Sequence, residues 1–184
     1  MKIEKVPVKG LTSQEFEKAL KVNWDPELKY NWDNGKAIGR YLHELKKGRI
    51  IARVCDKCNR IMIPPRMFCE YCFRPTDRWQ YVKDTGRVNT YAVSRVYWNA
   101  QRIPADEPPI IPAVIEIDGA SPGMGILHLL GNVKPEQIRI GMRVRAVWKS
   151  ENERTGSITD IQYFEPIEDR DSIIKNPANK RKRR

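Results

Sequence analysis

The chain has 184 residues, with 34 Lys+Arg against 23 Asp+Glu, four Cys, two His and a net charge of +11. That length suits one domain of ordinary size or two small ones, and no apolar run approaches the ~20 residues that span a bilayer. The start, Met1-Lys-Ile-Glu-Lys, has no apolar secretory core, so we expect a cytoplasmic, non-membrane protein whose cysteines serve as metal ligands rather than disulfides.

In chain order, Thr12-x-x-Glu15 forms a capping box, with Leu11 and Phe16 spaced as a hydrophobic staple, and predicts a short helix over 11–22. Residues 23–35 are irregular and aromatic, with Trp24, Tyr30 and Trp32 available for packing or for a partner. Ile38, Tyr41, Leu42 and Leu45 recur at helical spacing and predict a second helix over 36–47, ended by Gly48. The run Arg49–Val54 reads as a strand entering a cysteine-rich segment.

Strand-like patterning then predicts barrel strands over 87–98, 110–117, 124–130, 143–149 and 157–164, with a Pro-rich loop at 99–109 and one helical turn at 132–138. Five short strands with a turn of helix after the third fit an OB barrel. The expected fold is mainly β with N-terminal helices. Its segments are an extension (1–35), a helix (36–48), a zinc ribbon (49–78), a five-stranded OB-fold barrel (79–166) and a basic tail (167–184).

The strongest motif is a doubled one. Cys55-x2-Cys58 and Cys69-x2-Cys72 use every cysteine in the chain, and two such knuckles complete a tetrahedral four-thiolate shell. A closed shell leaves no position for substrate, so the metal is expected to be structural zinc, which would supply much of the folding energy of a segment this short. Iron accepts the same ligands and is the rival.

Charge is uneven. Residues 46–78 carry nine basic against three acidic side chains, and the last ten residues carry six basic and no acidic ones. Either stretch suits an anion: a nucleic acid, the phosphates of CoA or an acidic protein face.

Catalytic signals are weak. Gly119-Ala-Ser121-Pro-Gly123 matches the nucleophile elbow of serine hydrolases, yet Pro122 lacks the N–H that the elbow would aim at an oxyanion, so a tight turn is expected. His43 and His128 have no motif partner. With the thiols assigned to metal, nucleophile and base are both missing, and no catalytic residue is assigned.

Lys46-Lys-Gly-Arg-Ile-Ile-Ala-Arg-Val-Cys55, then Cys58, Pro64-Pro65-Arg66, Cys69 and Cys72, resembles the rubredoxin-like zinc ribbon of the acyl-CoA-associated OB-fold family, long catalogued as a domain of unknown function. Gly86–Val93, Pro112–Asp118 and Ile140–Val144 resemble strands of its barrel. The resemblance covers roughly residues 36–166; the extension and the basic tail depart from it. It implies a non-catalytic accessory subunit, in a hetero-oligomer with a thiolase-type or acyltransferase enzyme, that stabilises its partner and shares in holding CoA or an acyl-CoA. The aromatic extension points to a bulky or aromatic acyl group.

Arg66, Tyr97 and Trp98 are the candidate CoA- or partner-contacting residues. The alternative is a single-stranded nucleic-acid-binding OB-fold protein, with Tyr91, Tyr97 and Trp98 stacking on bases.

Overall fold

The computed structural model describes residues 10–20, 32–97 and 99–167. The aromatic stretch 23–31, Trp98 and the basic tail from 168 lie outside the described residues. The chain forms two compact units, 1–33 and 34–184.

In the first unit, helix α1 (Ser13–Leu20) opens on the predicted capping box. The Thr12 N–H donates to Glu15 Oε2 at 2.8 Å, and the Glu15 N–H donates back to Thr12 Oγ1 at 3.3 Å. Leu11 and Phe16 line one open depression and are both more than half exposed.

The second unit begins with helix α2 (Gly35–Lys46). Its buried face is Ala37, Tyr41, Glu44 and Leu45, rotated from the predicted one, so Ile38 lies exposed and Leu42 only half-buried. The rotation sets Glu44 under Arg49 and Tyr81, whose guanidinium and hydroxyl donate to its Oε2 at 2.6 and 3.1 Å. The helix ends as Gly48 predicts. At φ +69 its N–H donates to the Leu45 carbonyl at 2.8 Å, and the Arg49 N–H reaches back to Glu44 O at 3.0 Å, the double bond of a Schellman stop.

Strand β1 (Ile50–Cys55) is buried along its whole length, because it lies centrally in a sheet of order β2-β1-β5. Its neighbours are β2 (Arg60–Met62) and β5 (Arg78–Val82), both antiparallel. The arginine of β1 is accommodated rather than exposed: Arg53 Nε donates to Thr76 Oγ1 at 2.8 Å, and its guanidinium stacks on Trp79 at 4.8 Å. Since β5 pairs with β1, the start of segment 79–166 belongs to the ribbon's sheet and the barrel begins at Thr85. A hairpin of β3 (Phe68–Cys69) and β4 (Arg74–Pro75) completes the ribbon.

The barrel has five strands: β6 (Thr85–Tyr91), β7 (Pro112–Ile117), β8 (Gly125–Leu129), β9 (Arg143–Trp148) and β10 (Ile161–Pro166). Their order is β10-β9-β6-β7-β8, and a parallel bridge from Leu130 to Phe164 closes the sheet on itself. Barrel strands one, two, three, five and four in cyclic order is OB topology. A bulge at Val88/Thr90 and another at Ile161/Tyr163 bend the strands toward that closure. Gly86 allows the tight crossing, because a Cβ there would fall on the Glu116 carbonyl. Val88, Ile115, Val144, Ile161 and Phe164 fill the interior, in one apolar cluster with Tyr41 and Leu45 of α2 and Ile50–Ala52 of β1.

Two predicted strands are corrected. The first ends at Tyr91 instead of 98; the described residues of 92–97 and 99–111 form an irregular arm held by bridges Ser94–Ile110 and Val96–Arg102. Its return limb is Pro-rich and cannot supply the N–H groups of a regular ladder. The last strand starts at Ile161, because residues 158–160 form a 3-10 turn. Fully buried Asp160 organises that turn, accepting from the N–H groups of Thr155 (3.0 Å), Gly156 (2.7 Å) and Ser157 (3.1 Å).

Candidate metal centre

Each knuckle is built the same way. Cys55 ends β1 and Cys69 ends β3; the chain turns through Cys58 or Cys72; then a left-handed residue, Asn59 (φ 59) or Phe73 (φ 50), leads into Arg60 or Arg74 of the next strand. The Phe73 N–H closes the second knuckle on the Cys69 carbonyl at 2.9 Å. The four sulfurs all lie within 4.8 Å of one another, with Cys58 and Cys69 Sγ at 3.6 Å. A tetrahedron with Zn–S bonds of about 2.3 Å has edges of about 3.8 Å, so the donor set fits one zinc ion.

Electrostatics point the same way. Backbone N–H groups of Cys58 and Lys57 help pull the Cys55 thiol down to about 7, while desolvation and the neighbouring thiols push Cys72 up to about 12. Four thiols this close cannot all ionise unaided, and a dication removes that conflict. Cys55, Cys58, Cys69 and Cys72 would hold it as a closed, structural shell.

The centre is not isolated from the barrel. Cys55, Met62, Cys69 and Met124 form a small buried cluster, with Cys72 and Ala120 packed against it. Met124 and Ala120 come from the β7–β8 turn. That turn is the Gly-x-Ser-x-Gly motif, and Ser121 has a structural duty: its Oγ accepts the Ile61 N–H at 2.8 Å, and its own N–H donates to the Ile61 carbonyl at 3.0 Å. Gly119 and Gly123 both take positive φ, as a tight turn requires.

The remaining candidates are dispersed. Arg66 is half-exposed on the ribbon and faces Glu70 at 3.7 Å. Tyr97 sits on the barrel arm, its hydroxyl donating to Glu107 Oε2 at 3.0 Å, a bond that holds the phenol above its ordinary pKa. Trp98 lies outside the described residues. His43 is exposed, whereas His128 is half-buried with both ring nitrogens engaged, accepting from the Leu129 N–H at 2.9 Å and meeting Ile158 O at 3.2 Å.

Six of the nine basic side chains of residues 46–78 face carboxylates, although even with Glu44 the segment keeps an excess of positive charge. Lys47 and Arg49 pair with Glu44, Arg60 and Arg66 with Glu70, Arg74 with Asp77 and Arg78 with Asp56. Only the Arg60–Glu70 and Arg78–Asp56 pairs join residues ten or more apart in the sequence; the others are local.

A four-cysteine ribbon locked onto a closed five-stranded Greek-key barrel defines the class: a zinc-ribbon/OB-fold protein. Residues 43–78 match the family model for the rubredoxin-like zinc ribbon domain of ChsH2, and residues 79–149 match that for the ChsH2 C-terminal OB-fold domain. The chain belongs to this ChsH2-type family. It is also similar to a DUF35 domain-containing scaffold protein of Methanocaldococcus jannaschii, 29% identical over 143 residues that cover 77% of this chain and 98% of the relative. Among solved structures, a chain of an Ltp2-ChsH2(DUF35) aldolase shares the fold, with a TM-score of 0.50 and 24% identity over 77% of this chain and 98% of that one. Among the described residues, no helix is long and apolar enough to cross a membrane.

Proposed function

We propose that this chain is a non-catalytic accessory subunit of a thiolase-type acyl-CoA enzyme, stabilising that partner and sharing in the retention of CoA or an acyl-CoA. The observation that carries the reading is the fusion of a closed four-sulfur centre to an OB barrel through Ser121 and Met124, in a chain whose ribbon and barrel both match the ChsH2 family. A closed metal shell builds a rigid platform and does no chemistry on a substrate. The scaffold description of the methanogen relative supports the same role, and the solved structure of similar fold names ChsH2 together with Ltp2 in an aldolase.

Arg66 and Tyr97 are the residues we place toward CoA or the partner, with Trp98 beside Tyr97 in the sequence. The test is co-production of the full chain with a candidate thiolase-type enzyme, followed by size exclusion with light scattering. A heteromer of fixed ratio is expected; two separate species for every such enzyme encoded in the source genome would contradict the proposal.

A further inference from the structure

We propose that the second zinc knuckle is the surface on which the enzyme subunit seats, with the Phe73 side chain inserted into an apolar pocket of that folded partner. This inference rests on the accessory-subunit reading and deepens it.

Four apolar side chains crowd one short hairpin and face outward: Phe73 is 90% exposed, Tyr71 68%, Phe68 63% and Met67 38%. Exposed apolar side chains concentrated on one hairpin in this way mark interaction surfaces, and aromatic residues with Met are what protein interfaces favour. The backbone makes the case sharper. Phe73 occupies the left-handed position of its knuckle at φ 50, where the matching position of the first knuckle holds Asn59 at φ 59. Asn tolerates that conformation, whereas a bulky side chain there is an outlier. The fold gains almost no burial from the ring that it holds in this strained position. Strain of this kind, kept at an exposed position, points to a use outside the chain.

The charges around the hairpin select the partner's chemistry. Glu70 takes Arg60 at 2.8 Å and Arg66 at 3.7 Å, and Asp77 takes Arg74 at 2.8 Å. Arg60 also lies on the Tyr71 ring at 4.2 Å, which fixes the ring before any partner arrives. Carboxylates interleaved with these cations break up the basic track that a phosphate backbone would follow. The complement of this surface is an apolar pocket with a mixed-charge rim on a folded protein.

The test compares wild type with Phe73→Gly, full-length, in binding to the co-produced enzyme subunit. Glycine relieves the left-handed strain, so zinc content should be unchanged and Tm equal or higher, while affinity for the enzyme falls at least about tenfold. Wild type failing to associate at all would bring down the accessory-subunit reading, and this inference with it. Wild type associating while Phe73→Gly binds within about twofold would overturn the inference alone. Three further results would also overturn it: loss of zinc or several degrees of Tm in Phe73→Gly, a wild-type homodimer that this variant dissolves, or single-stranded oligonucleotide binding that it abolishes.

Discussion

Ser121 and Ile61 exchange two hydrogen bonds across the joint between barrel and ribbon, one to the serine hydroxyl and one between backbones. The serine that resembles a hydrolase nucleophile is therefore an anchor, and its hydroxyl oxygen is occupied by a partly buried N–H. Ser121→Ala leaves that N–H without its acceptor, which costs about 1–2 kcal/mol. Thermal unfolding should fall by a few degrees, at about 2–4 °C per kcal/mol for a chain of this size. An unchanged Tm would show that the hydroxyl adds nothing to the joint beyond the backbone bond and the packing.

Metal content tests the centre. One zinc per chain is expected, without visible absorption, and either Cys55→Ser or Cys69→Ser should lose it. Since metal binding is coupled to folding in small ribbons, metal loss should release Trp79, which is stacked between Arg40 and Arg53, and change its fluorescence. A coloured, iron-loaded protein would favour the rival metal.

Asp160 predicts an acid limb. Burial raises its pKa, but the N–H groups of Thr155, Gly156 and Ser157 outweigh that and hold the carboxyl below its ordinary value. A depressed carboxyl stabilises the fold above its unfolded pKa of ~3.9, and this contribution is lost as pH falls through the folded value. Asp160→Asn should lower stability at pH 7 by about 2–3 kcal/mol and flatten the acid limb. Equal acid sensitivity in variant and wild type would contradict this.

His128 predicts a milder slope near neutrality. Burial depresses its pKa below the ordinary 6.5, outweighing its backbone hydrogen bonds. The Leu129 N–H needs an unprotonated Nδ1, which leaves the Nε2–H tautomer to donate to Ile158 O. A depressed His is stabilising relative to its charged form above the unfolded pKa, and that advantage is lost as pH falls below about 6.5. Its ring resonances should titrate below the ordinary value, and His128→Gln should remove part of the Tm decline between pH 7 and 5.5. Titration at or above 6.5 would contradict the assignment.

What the sequence disclosed depended on range. The Cys-x2-Cys pairs, Gly48 and the Thr12/Glu15 box are local signals, and each marks a feature seen in the structure. Ser157-Ile-Thr-Asp160 is also a local capping box, but Ile158 and Thr159 carry strand propensity and hid the turn. Residues 92–97 carry it too, yet the Pro-rich return limb offers them isolated bridges, at Ser94–Ile110 and Val96–Arg102, in place of a continuous ladder. Arg53 under Trp79, Glu44 under Arg49 and Tyr81, and Ser121 on Ile61 join residues brought together only by the fold. No periodicity announces such contacts. The exposed Phe73 was equally silent, because its significance lies in a backbone angle.

Recovery of the tagged chain from its native cell, with every co-purifying protein identified and quantified, tests the central claim most directly. The account predicts a thiolase-type enzyme in fixed ratio to the chain. Recovery with RNA, ribosomal or replication proteins, and no such enzyme, would contradict it.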